Sequence, residues 1–199
     1  MMENTNKLTI LTLFVTLLFV GCKKKGENIY IYKMLCEEDS VFMASRIENS
    51  DGFKKNTIAY YKVNDDTLFI AGCYRFQINQ DSLFYIFGKN NDNKKLIFSR
   101  TLTDTVSING SWHLNSLKTI YLGSYFDKNY DTELHKFHIW DNCIDGLDVY
   151  LYFNQSYILY RMEKHYPESD MCNFYLLDKN TEDSSIYKEI KPKIMQNFK

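Results

Sequence analysis

A chain of 199 residues with 24 Lys and Arg against 25 Asp and Glu, a formal net charge of -1, has no excess of positive charge to attract phosphate backbones, which argues against a nucleic-acid binder. Its 45% hydrophobic content is ordinary for a globular protein, and 16 Tyr with 14 Phe can fill a sizeable core. The length suits one well-packed domain better than two very small ones.

The chain opens with a short polar stretch, Met1 to Lys7, and then an apolar run, Leu8 to Val20, broken only by Thr9, Thr12 and Thr16. That is an n-region followed by an h-region of secretory length, too short for the ~20 apolar residues of a spanning helix. Val20 and Gly21, both small enough for a peptidase cleft, stand directly before Cys22. The segment resembles the signal peptide and lipobox of bacterial lipoproteins, with Phe19 where Leu is usual.

By that resemblance residues 1–21 are a removable signal peptide, Cys22 is acylated and becomes the first mature residue, and 22–28 form a lipidated tether. Two or three acyl chains, at ~0.8 kcal/mol per buried methylene, hold a protein on a membrane persistently. Lys23 to Lys25 follow at once. Each contributes about 1 kcal/mol near anionic headgroups. Lysines rather than acidic residues after the cysteine point to the periplasmic side. The expected location is the bacterial cell envelope, lipid-anchored in the outer membrane and facing the periplasm.

Once Cys22 is set aside, Cys36, Cys73, Cys143 and Cys172 remain. An even set in an exported protein implies two disulfides, with three connectivities that sequence alone cannot rank, or else four buried thiols. No C-x-x-C pair occurs, which argues against a structural zinc site.

From Ile29 onward the pattern is of strands: Tyr, Phe, Ile and Leu recur in short runs bounded by Asn, Asp and Gly, with only Pro167 and Pro192 interrupting. Glu37 to Ile47 reads as either a short helix or a strand. Val63-Asn64-Asp65-Asp66-Thr67-Leu68-Phe69 is echoed by Ile78-Asn79-Gln80-Asp81-Ser82-Leu83-Phe84, each a strand end, a turn and a new strand. Between them, alternation from Cys73 to Ile78 places Tyr74, Phe76 and Ile78 on the core face. Ser82 to Phe87 is apolar on both faces, as in a strand covered on two sides. Further strands are expected at Lys95 to Ser99, Thr119 to Ser124, Glu133 to Trp140, Leu147 to Phe153, Ser156 to Met162 and Asn173 to Leu177. Leu147, Val149, Leu151 and Phe153 share one face, and Asn154-Gln155-Ser156 turns the chain into the next strand. Ile186, Ile190, Ile194 and Phe198 fall four apart as on a helix, but Pro192 interrupts them, so only a short helix beginning near Pro192 is expected. The fold class is mainly β: residues 29–199 form a single antiparallel meander closing into a barrel or a two-layer sandwich.

Motifs for chemistry are sparse. His135 and His138 would share a face on a helix, but on a strand they point to opposite faces, which argues against a metal pair. His113 and His165 have no partner pattern nearby, and no metal or cofactor site is expected. Asp141-Asn142-Cys143-Ile144-Asp145-Gly146 is oxygen-rich but lacks the carboxylate spacing and closing Glu of a calcium loop, and reads as a turn. No G-x-S-x-G occurs. Tyr60-Tyr61 reads as core and sheet surface rather than as a platform for sugars or peptides. An enzyme would need His135, His138 or His113 to converge with Asp141 or Glu133.

Gly110-Ser111-Trp112 resembles the G-x-W of lipocalins, displaced to mid-chain from the first strand. That resemblance implies a barrel carrying a small apolar ligand in an enclosed cavity. The leading expectation is different: a non-enzymatic envelope lipoprotein that works as a binding or structural module against another envelope protein or surface, with the lipocalin-like carrier as the alternative.

Overall fold

Antiparallel strands joined by tight turns make up most of the described molecule, and several of them bury residues on both faces. The computed structural model describes residues 29–35, 41–50, 53–64, 66–86, 94–102, 104–108, 117–140, 147–166, 172–178 and 183–198. Cys22 and the whole segment before Ile29, Cys36, Gly110-Ser111-Trp112, His113 and residues 141–146 with Cys143 lie outside them.

The strands are β1 (Ile29–Leu35), β2 (Val41–Ser50), β3 (Phe53–Lys62), β4 (Thr67–Asn79), β5 (Ser82–Ile86), β6 (Lys94–Ser99), β7 (Val106–Ile108), β8 (Leu117–Asp127), β9 (Thr132–Trp140), β10 (Asp148–Phe153), β11 (Leu159–Lys164) and β12 (Asn173–Leu177). They form one 12-stranded sheet in the order β6-β5-β4-β3-β2-β1-β12-β11-β10-β9-β8-β7. Every pairing is antiparallel, so two six-stranded meanders are joined where β1 meets β12. The sheet curls until its two ends meet, giving a nearly closed barrel and not a sandwich. At the seam Thr119 Oγ1 on β8 donates to the Ile97 carbonyl on β6 at 2.9 Å. The Phe98 and Phe137 rings also touch there, 5.0 Å between centroids. Closure hides the strand edges that an open sheet would offer to other chains.

The interior is filled largely by aromatic rings. Tyr32, Phe76, Phe98, Phe137, Phe153, Tyr157 and Phe174 are all fully buried. Phe153 contacts both Phe98 and Phe137, at 5.3 and 5.8 Å, in tilted and edge-on arrangements. These ring geometries stabilise the core beyond simple area burial. Tyr32 resolves its buried hydroxyl by donating to the Leu159 carbonyl at 3.1 Å.

Several sequence expectations hold in detail. Phe76 is buried in the interior with Tyr74 and Ile78 packed beside it, and Leu147, Val149, Leu151 and Phe153 line the same core. Both echoed segments are hairpin turns, with Asp66 at φ 48° and Gln80 at φ 51° supplying the left-handed residues they need. Residues 41–47 of the ambiguous early segment are strand β2. In β5, Leu83 and Tyr85 face the core, while Phe84 points outward under the Lys94 ammonium, 5.0 Å from its ring centre. The β10–β11 turn is longer than expected: Asn154 Oδ1 accepts from the Ser156 and Ile158 amides, both at 2.9 Å, and Tyr157 takes φ 56°. Tyr157 therefore belongs to the turn, and β11 starts at Leu159.

The C-terminal helix departs from expectation. Helix α1 (Ser184–Asn197) begins well before Pro192 and runs through it. Its stripe of Ile190, Ile194 and Phe198 packs on the barrel's outer wall against Ile31, Phe42, Ala44, Ala59, Tyr61 and Leu177. Pro192 sits on the exposed side, where water can satisfy the carbonyl that the missing N–H leaves open. Packing of the opposite face outweighs the local penalty.

Candidate functional site

At one end of the barrel three turns converge on Arg100, the residue just after β6. Its backbone amide donates to the Asp81 carbonyl at 2.9 Å, its Nη2 meets Asp81 Oδ1 at 2.8 Å, and its Nη1 donates to the Gln155 carbonyl at 3.0 Å. The guanidinium lies over the Tyr157 ring, 5.0 Å from its centre, and the Tyr157 hydroxyl donates to the Asp81 carbonyl. Burial pushes that phenol well above the ordinary tyrosine range. Arg100 thus ties the β4–β5 turn to the β10–β11 turn across the barrel mouth.

Beside it opens a cavity of about 480 Å³ lined by Asp81, Arg100, Thr101, His135, Gln155 and Ser156. His135, on β9, faces inward and is buried. Tyr121 OH and His135 Nδ1 are 3.0 Å apart, and no protein group meets its Nε2 among the described residues. Burial lowers the His135 pKa, the Arg100 charge lowers it further, and Glu133 and Asp81 oppose the shift without reversing it. The shift favours the neutral imidazole. Arg100 Nε is likewise buried without a partner. Each such orphan costs roughly 1–3 kcal/mol until something satisfies it. The lining therefore combines a cation, a carboxylate, hydroxyls and a neutral imidazole, a set suited to a small ligand with both acceptors and donors.

The outer wall of β8–β11 carries a second constellation. Tyr125 and Tyr152 meet edge-on at 5.9 Å, with the Arg161 guanidinium 4.3 Å from the Tyr152 ring centre and Lys136 Nζ 3.8 Å from that of Tyr150. Toward the opposite end of the same strands, His138 Nε2 and His165 Nδ1 both approach Asp148 Oδ1, at 2.7 and 2.9 Å. Trp140 stacks on His138 and Tyr166 on His165, at 4.7 and 4.5 Å.

His135 and His138 do point to opposite faces, as strand geometry requires: one enters the mouth cavity and the other the outer wall. Glu133 reaches the mouth region and accepts from Ser124 Oγ at 2.6 Å, whereas His138 is remote from it. Tyr60 and Tyr61 are both buried, the first in the barrel interior and the second under α1. Cys172 is disulfide-bonded, but Cys73 is a free, exposed thiol. Its partner across the ladder is Thr57, whose Oγ1 lies 3.6 Å from the sulfur, which corrects the expectation of a bridge there. The roles of Arg100 and Asp81 are not signalled by sequence, because each reads as an ordinary turn residue. The chain matches no protein-family model, no curated protein and no solved structure.

Proposed function

We propose that this chain is a lipid-anchored bacterial envelope protein whose barrel binds a small polar ligand in the Arg100–His135 cavity without transforming it. The observation that carries the reading is the mouth cavity itself, where Arg100 Nε and His135 Nε2 are buried and have no partner among the described residues beside about 480 Å³ of space. Its polar lining favours a hydrogen-bonding solute over the apolar cargo that a lipocalin likeness implies. Binding without turnover is supported by His135: its Nδ1 faces a tyrosine hydroxyl, not the carboxylate that orients a general base.

The anchor rests on the Cys22 resemblance. The described chain starts with β1 at the end of the sheet that bears the β4–β5 turn. A tether of residues 22–28, reaching at most about 25 Å at full extension, would hold the cavity near the bilayer surface. Metabolic labelling with an alkynyl palmitate tests this half: label is incorporated by the natural chain and lost in Cys22→Ala.

A second reading, docking of an envelope partner on the outer wall, is favoured by Leu122 and Tyr125, which leave large apolar side chains exposed along β8. Native mass spectrometry of gently purified protein separates the two. A released polar molecule, lost in Arg100→Met, supports the cavity reading. A wild-type spectrum at the bare processed mass that stays unchanged on adding amino acids, sugars and sugar acids refutes it.

A further inference from the structure

We propose that His138, Asp148 and His165 form a binding site on the outer wall for one divalent transition-metal ion of the imidazole-preferring class, Zn2+, Cu2+ or Ni2+. This site is separate from the mouth cavity and does not depend on what binds there.

The sheet assembles the three ligands from distant positions. Asp148 opens β10 opposite Trp140, and Tyr150 pairs with His138, so Asp148 and His138 are diagonal neighbours on the outer face. His165 follows β11 directly, and its backbone amide donates to the Asp148 carbonyl at 2.9 Å, fixing that loop over the carboxylate. One ligand atom from each residue lies within 4.8 Å of the other two. Tetrahedral coordination at 2.0–2.2 Å needs ligand atoms about 3.3 Å apart, so the two ring nitrogens, within 4.8 Å of each other, need close by no more than about 1.5 Å while the carboxylate contacts widen slightly.

Two imidazole nitrogens aimed at one carboxylate oxygen are a donor set poised for an ion. The ion would take the place of the protons now lying between nitrogen and oxygen. Two nitrogens and one oxygen suit Zn2+, Cu2+ or Ni2+, while Ca2+ and Mg2+ prefer all-oxygen shells. The three side chains are 19%, 27% and 31% exposed, so an ion has a path in and a coordination position remains for water. Stacking preorganises the set: Trp140 lies nearly parallel to His138, at 22°, and Tyr166 to His165, at 7°. Each stacked ring limits rotation of the imidazole it covers.

Untagged protein, stripped with EDTA, would be titrated with ZnCl2 by calorimetry, beside His138→Gln, Asp148→Asn and His165→Gln checked by circular dichroism. The expected result is one equivalent bound by wild type, affinity lowered at least about tenfold in each variant, and no comparable binding of CaCl2 or MgCl2. Full wild-type affinity in Asp148→Asn and His165→Gln, or no saturable binding by wild type, overturns the proposal. A measurement without ligand variants guards against misfolding: in Trp112→Phe, Trp140 is the remaining indole and stacks on His138. CuCl2 should quench its fluorescence to a plateau at one equivalent, reversed by EDTA. Absence of such quenching also overturns the site.

Discussion

Replacing Thr119 with Val removes one hydroxyl and almost nothing else, because the two side chains have the same shape. In the barrel seam that hydroxyl carries the hydrogen bond to the Ile97 carbonyl at 2.9 Å. Ile97 is the residue left over where the β5–β6 register slips between Leu83 and Phe84, so its carbonyl stands outside the ladder at a sheet edge. Both residues are buried, at 1% exposure each, so bulk solvent does not reach them. Losing the bond and stranding the carbonyl should cost about 1–2 kcal/mol. For a domain of this size that corresponds to a fall in Tm of roughly 2–8 °C. Urea denaturation followed by circular dichroism gives the free energy. Thr57→Val is the control, since among the described residues its hydroxyl meets only the Cys73 sulfur, at 3.6 Å on the outer face, and a change within about 0.5 kcal/mol is expected there. Equal, near-zero effects of both substitutions would mean that the seam is not closed by this bond.

Stability should also depend on pH through His135. Burial and Arg100 lower its folded-state pKa, so the unfolded chain binds the proton more readily. Stability is then fully present above the ordinary histidine value near 6.5 and falls as pH drops from there toward the folded pKa, with a slope of at most ~1.4 kcal/mol per pH unit. His135→Gln should flatten that part of the profile, and an identical slope in the variant would remove His135 as its source. Gly72→Ala should destabilise by about 1–3 kcal/mol through overpacking. A Cβ at Gly72 would stand 2.4 Å from the Tyr74 ring, and adding Tyr74→Ala should abolish the clash, giving a measurable coupling in a double-mutant cycle. Pro192→Ala restores a backbone donor on the exposed side of α1 and should raise Tm, whereas a loss of stability would show that the proline is needed where it stands.

Local features of the chain are legible where local chemistry decides. Asn- and Asp-bearing turns and strand alternation suffice to place the β3–β4 and β4–β5 hairpins and the inward sets at Tyr74, Phe76 and Ile78 and at Leu147 to Phe153. Barrel and sandwich stay open alternatives in the sequence because the choice rests on β6 meeting β8, a contact no local pattern encodes. The apolar stripe of α1 is visible, but its start is set too late when Pro192 is weighed above the packing of Ile190 and Ile194. Both side-chain constellations escape the sequence for one physical reason. Asp81, Arg100 and Gln155 come from separate turns, and His138, Asp148 and His165 from three strand ends. Only register and closure bring them together.

Calorimetric titration of purified protein with a panel of amino acids, sugars and sugar acids, repeated on Arg100→Met, tests the central claim most directly. Saturable binding of one class by wild type, weakened at least about tenfold when the guanidinium is removed, is the predicted result. Binding of equal strength in Arg100→Met, or no binding of any panel member by wild type, would contradict a polar ligand site at the barrel mouth.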